Sequence, residues 1–139
     1  MRRPAGSKAE REVVSLFEPY VQEWIRRSFA HLSPPQIQAW PLIAEGRHTL
    51  IFSPTGSGKT LAAFLWSIND LFGTAMDSRL EEGVHVLYVS PLKALGNDIR
   101  KNLVHPLEGI YAIGKETGVR LPKLKSLVRT GDTSAADRA

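Results

Sequence analysis

Eight consecutive residues, Ser53-Pro54-Thr55-Gly56-Ser57-Gly58-Lys59-Thr60, constrain this chain more than any other feature. They follow a short apolar run of strand length, about Thr49 to Ser53. They lead into a stretch from Lys59 to about Leu71 whose apolar spacing predicts a helix. A strand, a glycine-rich turn and a helix opening at Gly-Lys-Thr make the Walker A pattern, and each position has a physical task. Gly56 and Gly58 let the backbone curl with no Cβ in the way, so that loop amides converge on an anion. The helix N-terminus adds free N–H groups and a favourable dipole. Lys59 is placed to reach the β- and γ-phosphates as a point charge, and Thr60 to offer its hydroxyl to Mg²⁺. The expected phosphate-binding set is therefore Pro54, Thr55, Gly56, Ser57, Gly58, Lys59 and Thr60, with ATP and Mg²⁺ as cofactors. The first glycine of the general pattern is Ser53 here, which closes the strand and touches phosphate least. Such loops serve kinases, GTPases, transporters and helicases alike, so the loop does not choose among them.

The rest of the chain reads as alternating elements. Residues 1 to about 10 are small, polar and charged, and are expected to be disordered. Apolar residues from Val13 to Phe29 recur at helical period, and Pro19 divides them into two helices, since proline suits a first turn and not an interior. Ser33-Pro34-Pro35 predicts a further helix start, with the helix running through Trp40 and Ile43 to Gly46. Gly73 to Gly83 reads as a loop. Val84 to Ser90 is the clearest strand, a helix is expected from Lys93 to about Val104 that resumes after Pro106, and a third strand at about Lys125 to Thr130. Strands alternating with helices predict an α/β class built on parallel βαβ units.

Bulk composition excludes more than it selects. The chain has 139 residues, room for one domain, and no cysteine, which rules out disulfides and thiolate metal sites. Its four histidines fall in no ligand-like spacing. A net charge of +4 is compatible with a polyanionic partner without requiring one. No apolar run reaches membrane-spanning length and no secretory signal follows Met1, so a cytoplasmic location with no membrane partner is the expectation.

Three further segments narrow the reading. Phe29 to Pro41 (FAHLSPPQIQAWP), followed by Gly46 and the SPTGSGKT loop, resembles the Q motif and motif I of superfamily 2 DEAD/DEAH-like helicases. In that superfamily a glutamine upstream of the loop reads the adenine edge. Gln36 is the position that matches, with Gln38 the competitor and the Trp40-Pro41 pair setting the register. An amide suits adenine, which offers an N6 donor beside an N7 acceptor. Tyr88 to Gly96 (YVSPLKALG) resembles motif Ia, whose turn grips the backbone of one nucleic-acid strand, and Pro91 and Lys93 match. Val128 to Ser134 (VRTGDTS) resembles the TGD motif that contacts the same backbone, through Thr130 and Gly131, with Asp132 ordering the turn. The wording of these segments, from about Phe17 to Ala139, is similar to the large helicase-related (Lhr) family, with Ski2-like helicases as relatives.

The resemblance implies a RecA-like P-loop NTPase domain, present in part over residues 11–139. It also implies ATP hydrolysis coupled to translocation along single-stranded or partly duplex DNA or RNA. By analogy it leans toward DNA, 3′ to 5′ movement and repair. No segment matches motif II, the acidic D-E-x-H that holds Mg²⁺ and positions the attacking water, and the second RecA-like domain with its arginine fingers has no counterpart. An arginine finger alone is worth about 10³ to 10⁵ in rate. The chain is therefore expected to be the N-terminal portion of a longer protein, inactive in hydrolysis on its own and prone to aggregate through unpaired sheet edges. Two other readings stand beside this one: another P-loop enzyme such as a small-molecule kinase, and a non-catalytic module that binds nucleotide or nucleic acid.

Overall fold

The computed structural model describes residues 6–90, 99–127 and 129. Helix α1 (Lys8–Val14) begins earlier than the sequence predicts, inside the stretch expected to be disordered. The cause is a capping box. Ser7 Oγ accepts from the Glu10 N–H at 3.2 Å, and the Glu10 carboxylate accepts from the Ser7 N–H at 2.6 Å. Helix α2 (Pro19–Ser28) opens at the proline that separates it from α1. Its N-cap residue, Glu18, has no side-chain cap of its own, and Asn69 supplies one from another helix by accepting from the Glu18 N–H at 2.7 Å. Helix α3 (Pro34–Ala44) ends where Gly46 and Arg47 donate back to Ile43 and Leu42, closing the last turn.

Helix α4 (Lys59–Met76) is the axis of the packing and extends five residues past the expected end at Leu71. Leu61, Leu65, Ile68 and Phe72 lie on one face at helical spacing, and Leu65 and Phe72 are wholly buried. Helix α5 (His105–Thr117) follows a π-helical turn over Arg100–Val104, so the helix passes through Pro106 where a break was expected. Pro106 has no N–H to give the preceding turn, and the wider π turn accommodates it.

The core forms between these helices: α2 packs on α5, α3 on α4 and α1 on α3. Phe17 sits edge-on to both Trp40 (4.8 Å) and Trp66 (5.0 Å), and Phe72 does the same with Tyr20 (5.8 Å) and Tyr111 (5.5 Å). The Tyr111 hydroxyl also ties down the chain after α5, donating to Pro122 O at 3.0 Å and accepting from the Leu124 N–H at 2.8 Å.

The strands are where expectation and structure part. Residues 49–53 and 84–90, and the described part of the third expected strand, carry no strand ladder, and no strand occurs among the described residues. A ladder needs a partner segment to exchange hydrogen bonds with, and no such pairing forms among the described residues. Their apolar side chains are correspondingly open: Leu50 is 92% exposed, Phe52 99% and Leu87 81%. The sheet of the expected α/β class is thus not seen among the described residues, whereas its helices are. No helix among them is long and apolar enough to cross a membrane.

Candidate nucleotide site

The glycine-rich loop connects residues 49–53 to α4. Gly56 and Gly58 have φ of +81° and +85°, a left-handed backbone that side chains rarely adopt, and nothing would lie within 4 Å of a Cβ at Gly56. This is the open backbone cradle that a phosphate group requires, with Lys59 at the first position of α4. Lys59 Nζ donates to the carbonyls of Ser53 (2.9 Å) and Pro54 (3.0 Å), which holds the cation over the loop. Across the loop's base, Ser53 Oγ and Ser57 Oγ are 2.6 Å apart and share a hydrogen bond. The residue that departs from the glycine of the general pattern therefore braces the turn. That role was missed in the sequence, although two serines four apart across a turn were there to suggest it. Pro54, Thr55 and Gly56 are exposed, and Ser57 to Thr60 are half-buried.

Gln36 comes to the same place from α3. It is 3% exposed, whereas Gln38 is exposed. Its Oε1 accepts from the Ser33 N–H at 2.9 Å, one half of a capping box, so the side chain is held at the helix start. Ser33 faces the Gln36 backbone N–H in the other half of the box, but its buried Oγ does not come within hydrogen-bond geometry of it. The amide nitrogen of Gln36 faces the loop, and a Cβ built on Gly58 would lie 3.1 Å from it and 3.4 Å from Ser33 Oγ. Gly58 is thus required twice, for its backbone and for the approach of Gln36.

Trp40 fixes the α3–α4 geometry behind this contact. Its ring is fully buried, and Nε1 donates to Ala62 O at 2.9 Å, one turn into α4 from the loop. The sequence marks Trp40 only as a register point, and its part in docking Gln36 against the loop rests on tertiary packing that periodicity does not report.

The structure thus brings together Gln36, Ser53, Pro54, Ser57, Gly58 and Lys59, with Thr60 following in α4. Pro91, Lys93, Thr130 and Gly131, the residues expected to grip nucleic acid, lie outside the described residues. No group of three or more His, Cys, Asp or Glu side chains that could hold a metal ion occurs among the described residues.

Residues 33–134 match the family model for DEAD/DEAH box helicases. The chain is 45% identical over 130 residues to the ATP-dependent helicase Lhr-Core of Methanocaldococcus jannaschii, covering 94% of this chain and 16% of that protein. It is 46% identical over 122 residues to a protein of Mycolicibacterium smegmatis named Lhr helicase/probable uracil glycosylase, covering 88% of this chain and 8% of that one. Among solved structures it resembles Mycobacterium smegmatis helicase Lhr bound to ssDNA and AMP-PNP, at a TM-score of 0.80 and 44% identity, over 91% of this chain and 15% of that one. The chain therefore spans a small part, 8% to 16%, of the relatives it matches.

Proposed function

The chain belongs to the DEAD/DEAH box helicase family, and from this premise we infer that it is the ATP-grasping part of an Lhr-like, ATP-dependent nucleic-acid helicase. The observation that carries the reading is the meeting of two elements at one glycine: the phosphate loop and the Gln36 amide converge at Gly58. A loop that holds only phosphates needs no buried amide beside it. The loop amides and Lys59 fit the triphosphate, Gln36 offers a donor and an acceptor to the adenine edge, and Thr60 offers a hydroxyl to Mg²⁺. When bound, the magnesium ion would neutralise phosphate charge, and the chain's own residues bind and orient the nucleotide.

A RecA-like setting for the loop is supported by the family match and by the likeness to the Lhr structure. The expected domain, a partial RecA-like unit over residues 11–139, belongs to the same proposal. Single-stranded or partly duplex DNA or RNA is the proposed polymer partner, gripped through Pro91, Lys93, Thr130 and Gly131. Hydrolysis, translocation and unwinding are proposed for a protein of the relatives' length, since no segment of this sequence matches the acidic motif that positions water.

Nucleotide choice tests the reading. Fluorescence titration with labelled ATP and GTP in the presence of Mg²⁺ should show a preference for ATP that Gln36→Ala removes. Lys59→Ala should weaken triphosphate binding by about 10- to 100-fold, the range of a charge-assisted contact, while leaving adenosine binding nearly unchanged. Binding indifferent to the base would favour another kind of P-loop enzyme, and equal loss of triphosphate and adenosine would show misfolding.

A further inference from the structure

Glu10 is a buried carboxylate outside the nucleotide site. Its residue is 8% exposed, and it is one of three buried polar or charged residues among those described, with Gln36 and Asn69. Asn69 has a structural task, capping α2. Glu10 has one task inside its own helix, accepting from Ser7, and a second far from it: Oε1 accepts from the Leu32 N–H at 2.7 Å, across 22 residues of chain. Leu32 is itself buried, and the next residue is Ser33, which begins α3 and holds Gln36. The exposed ring of His31 approaches the same oxygen at 3.6 Å. Hydrogen bonds and the chain itself thus lead from the Glu10 carboxylate to the Leu32 amide, to the Ser33 N–H and to the Gln36 amide, whose nitrogen lies close beside Gly58 of the phosphate loop.

The turn at 29–33 is anchored at its two ends by packing, with Phe29 edge-on to Trp24 at 5.6 Å and Leu32 buried in the core. It is neither helix nor strand, and although Ser33 and Gln36 are arranged as a capping box, the Ser33 hydroxyl reaches no partner within hydrogen-bond geometry, so the Gln36 half carries that cap. A residue that presents an amide to a base edge has to be held to within a fraction of an ångström for the pairing to discriminate. Beyond that packing, the Glu10 carboxylate is the acceptor from another helix that holds the backbone of this turn at Leu32. We propose that Glu10 is a positioning residue for base recognition: it clamps the turn before α3 and so fixes Gln36 against the phosphate loop. The inference rests on the reading of Gln36 as the group that meets adenine.

The test compares Glu10→Ala and Glu10→Gln with Gln36→Ala in the intact chain, using ATP, GTP and inorganic triphosphate as ligands. Glu10→Ala should weaken ATP about threefold to tenfold, the scale of one lost hydrogen bond, and leave GTP and triphosphate unchanged, so that the ATP preference shrinks. Glu10→Gln keeps one carbonyl acceptor at the same length and should retain an intermediate preference, and it carries the test if the alanine variant does not fold. A purely structural role predicts a different pattern, in which all three ligands weaken together or only the melting temperature falls, and either result overturns the proposal. If Gln36→Ala erases the ATP preference while both Glu10 variants keep it whole, the clamp is wrong and the reading of Gln36 stands. If the parent chain itself shows no preference for ATP, that reading fails and the clamp fails with it.

Discussion

Replacing Gly109 with alanine probes the contact that joins α2 to α5. An ideal Cβ at this position would overlap Trp24 Nε1 and lie 2.5 Å from Trp24 Cδ1, far inside van der Waals contact. Two effects oppose one another. Gly109 is in the interior of α5, where alanine is favoured over glycine by up to about 1 kcal/mol because it loses less backbone freedom on folding. Against that, a methyl group forced into a close-packed contact costs about 1–3 kcal/mol. The depth of the overlap puts the cost near the upper end, since Trp24 is 8% exposed and its ring already meets Phe29 edge-on at 5.6 Å. The net expectation is a loss of about 1–2 kcal/mol, which for a domain of this size lowers the thermal midpoint by roughly 3–10 °C. Gly73→Ala in α4 is the matched control. There the nearest atom is Glu18 Oε1 at 3.3 Å, the tip of a flexible side chain, so propensity decides and stability stays level or rises by up to about 1 kcal/mol. Melts followed by far-UV circular dichroism distinguish the two. If Gly109→Ala melts at or above the parent, the indole moves aside freely and the reasoning from close approach is refuted. In a Trp24→Leu background the Gly109→Ala penalty should shrink, because the ring it meets is gone.

Other substitutions separate burial from charge. Burial pushes the Tyr20 hydroxyl up to about 12, with the charges of Glu18 and Asp77 adding to it, and this hydroxyl has no hydrogen-bond partner. The folded chain therefore keeps a proton that the unfolded chain releases near pH 10, so stability should fall between about pH 10 and 12 in alkaline melts. Tyr20→Phe should abolish that slope and leave neutral-pH stability level or about 1 kcal/mol higher, since an orphaned polar atom is removed. The Leu32 and Ser7 amides hold the Glu10 carboxyl below its ordinary value of 4.5, against the opposing effect of burial. Its contribution is present above that value and is lost as pH falls through the folded value, so acid melts of the parent should steepen below about pH 4.5 and those of Glu10→Gln should not. Leu87 and Val89 are 81% and 79% exposed, so Leu87→Ser with Val89→Thr should leave the melting free energy within about 0.5 kcal/mol while reducing hydrophobic-dye binding. A large drop in melting temperature would show that these side chains are covered after all.

What the sequence discloses here depends on how far apart the partners of each interaction stand. Helical hydrogen bonds reach four residues, so α2, α3 and α4 are legible from local spacing, from Pro19 and Ser33 at their starts and from Gly46 beyond the end of α3. The phosphate loop is legible for the same reason, because its glycines, Lys59 and the following helix are contiguous. Gln36 needed the resemblance to be singled out, since a glutamine in a first helical turn is otherwise unremarkable. The Glu10–Leu32 and Asn69–Glu18 contacts join residues 22 and 51 apart, and nothing in the local pattern of either partner announces the other.

The apolar runs at 49–53 and 84–90 show the same rule from the opposite side. Their composition says that both faces want cover, as in strands buried on both sides of a parallel sheet. Along 84–90 the alternation survives only at 86–89, since Val84 is 85% exposed although it shares the parity of Val86 and Tyr88. Val86 and Tyr88 are 43% and 41% exposed, with Tyr88 tilted against Phe64 of α4 at 4.8 Å, while Leu87 and Val89 on the opposite face stand open. One face thus touches α4 at Tyr88, and the other stays more open still. Period-two patterning reports which side chains seek burial, whereas the ladder that would make the run a strand is a property of a second segment. The helical layer and the loop it carries are consequently specified locally enough to form as described. The sheet on which such a loop would ordinarily rest depends on pairing that no single run of residues can encode.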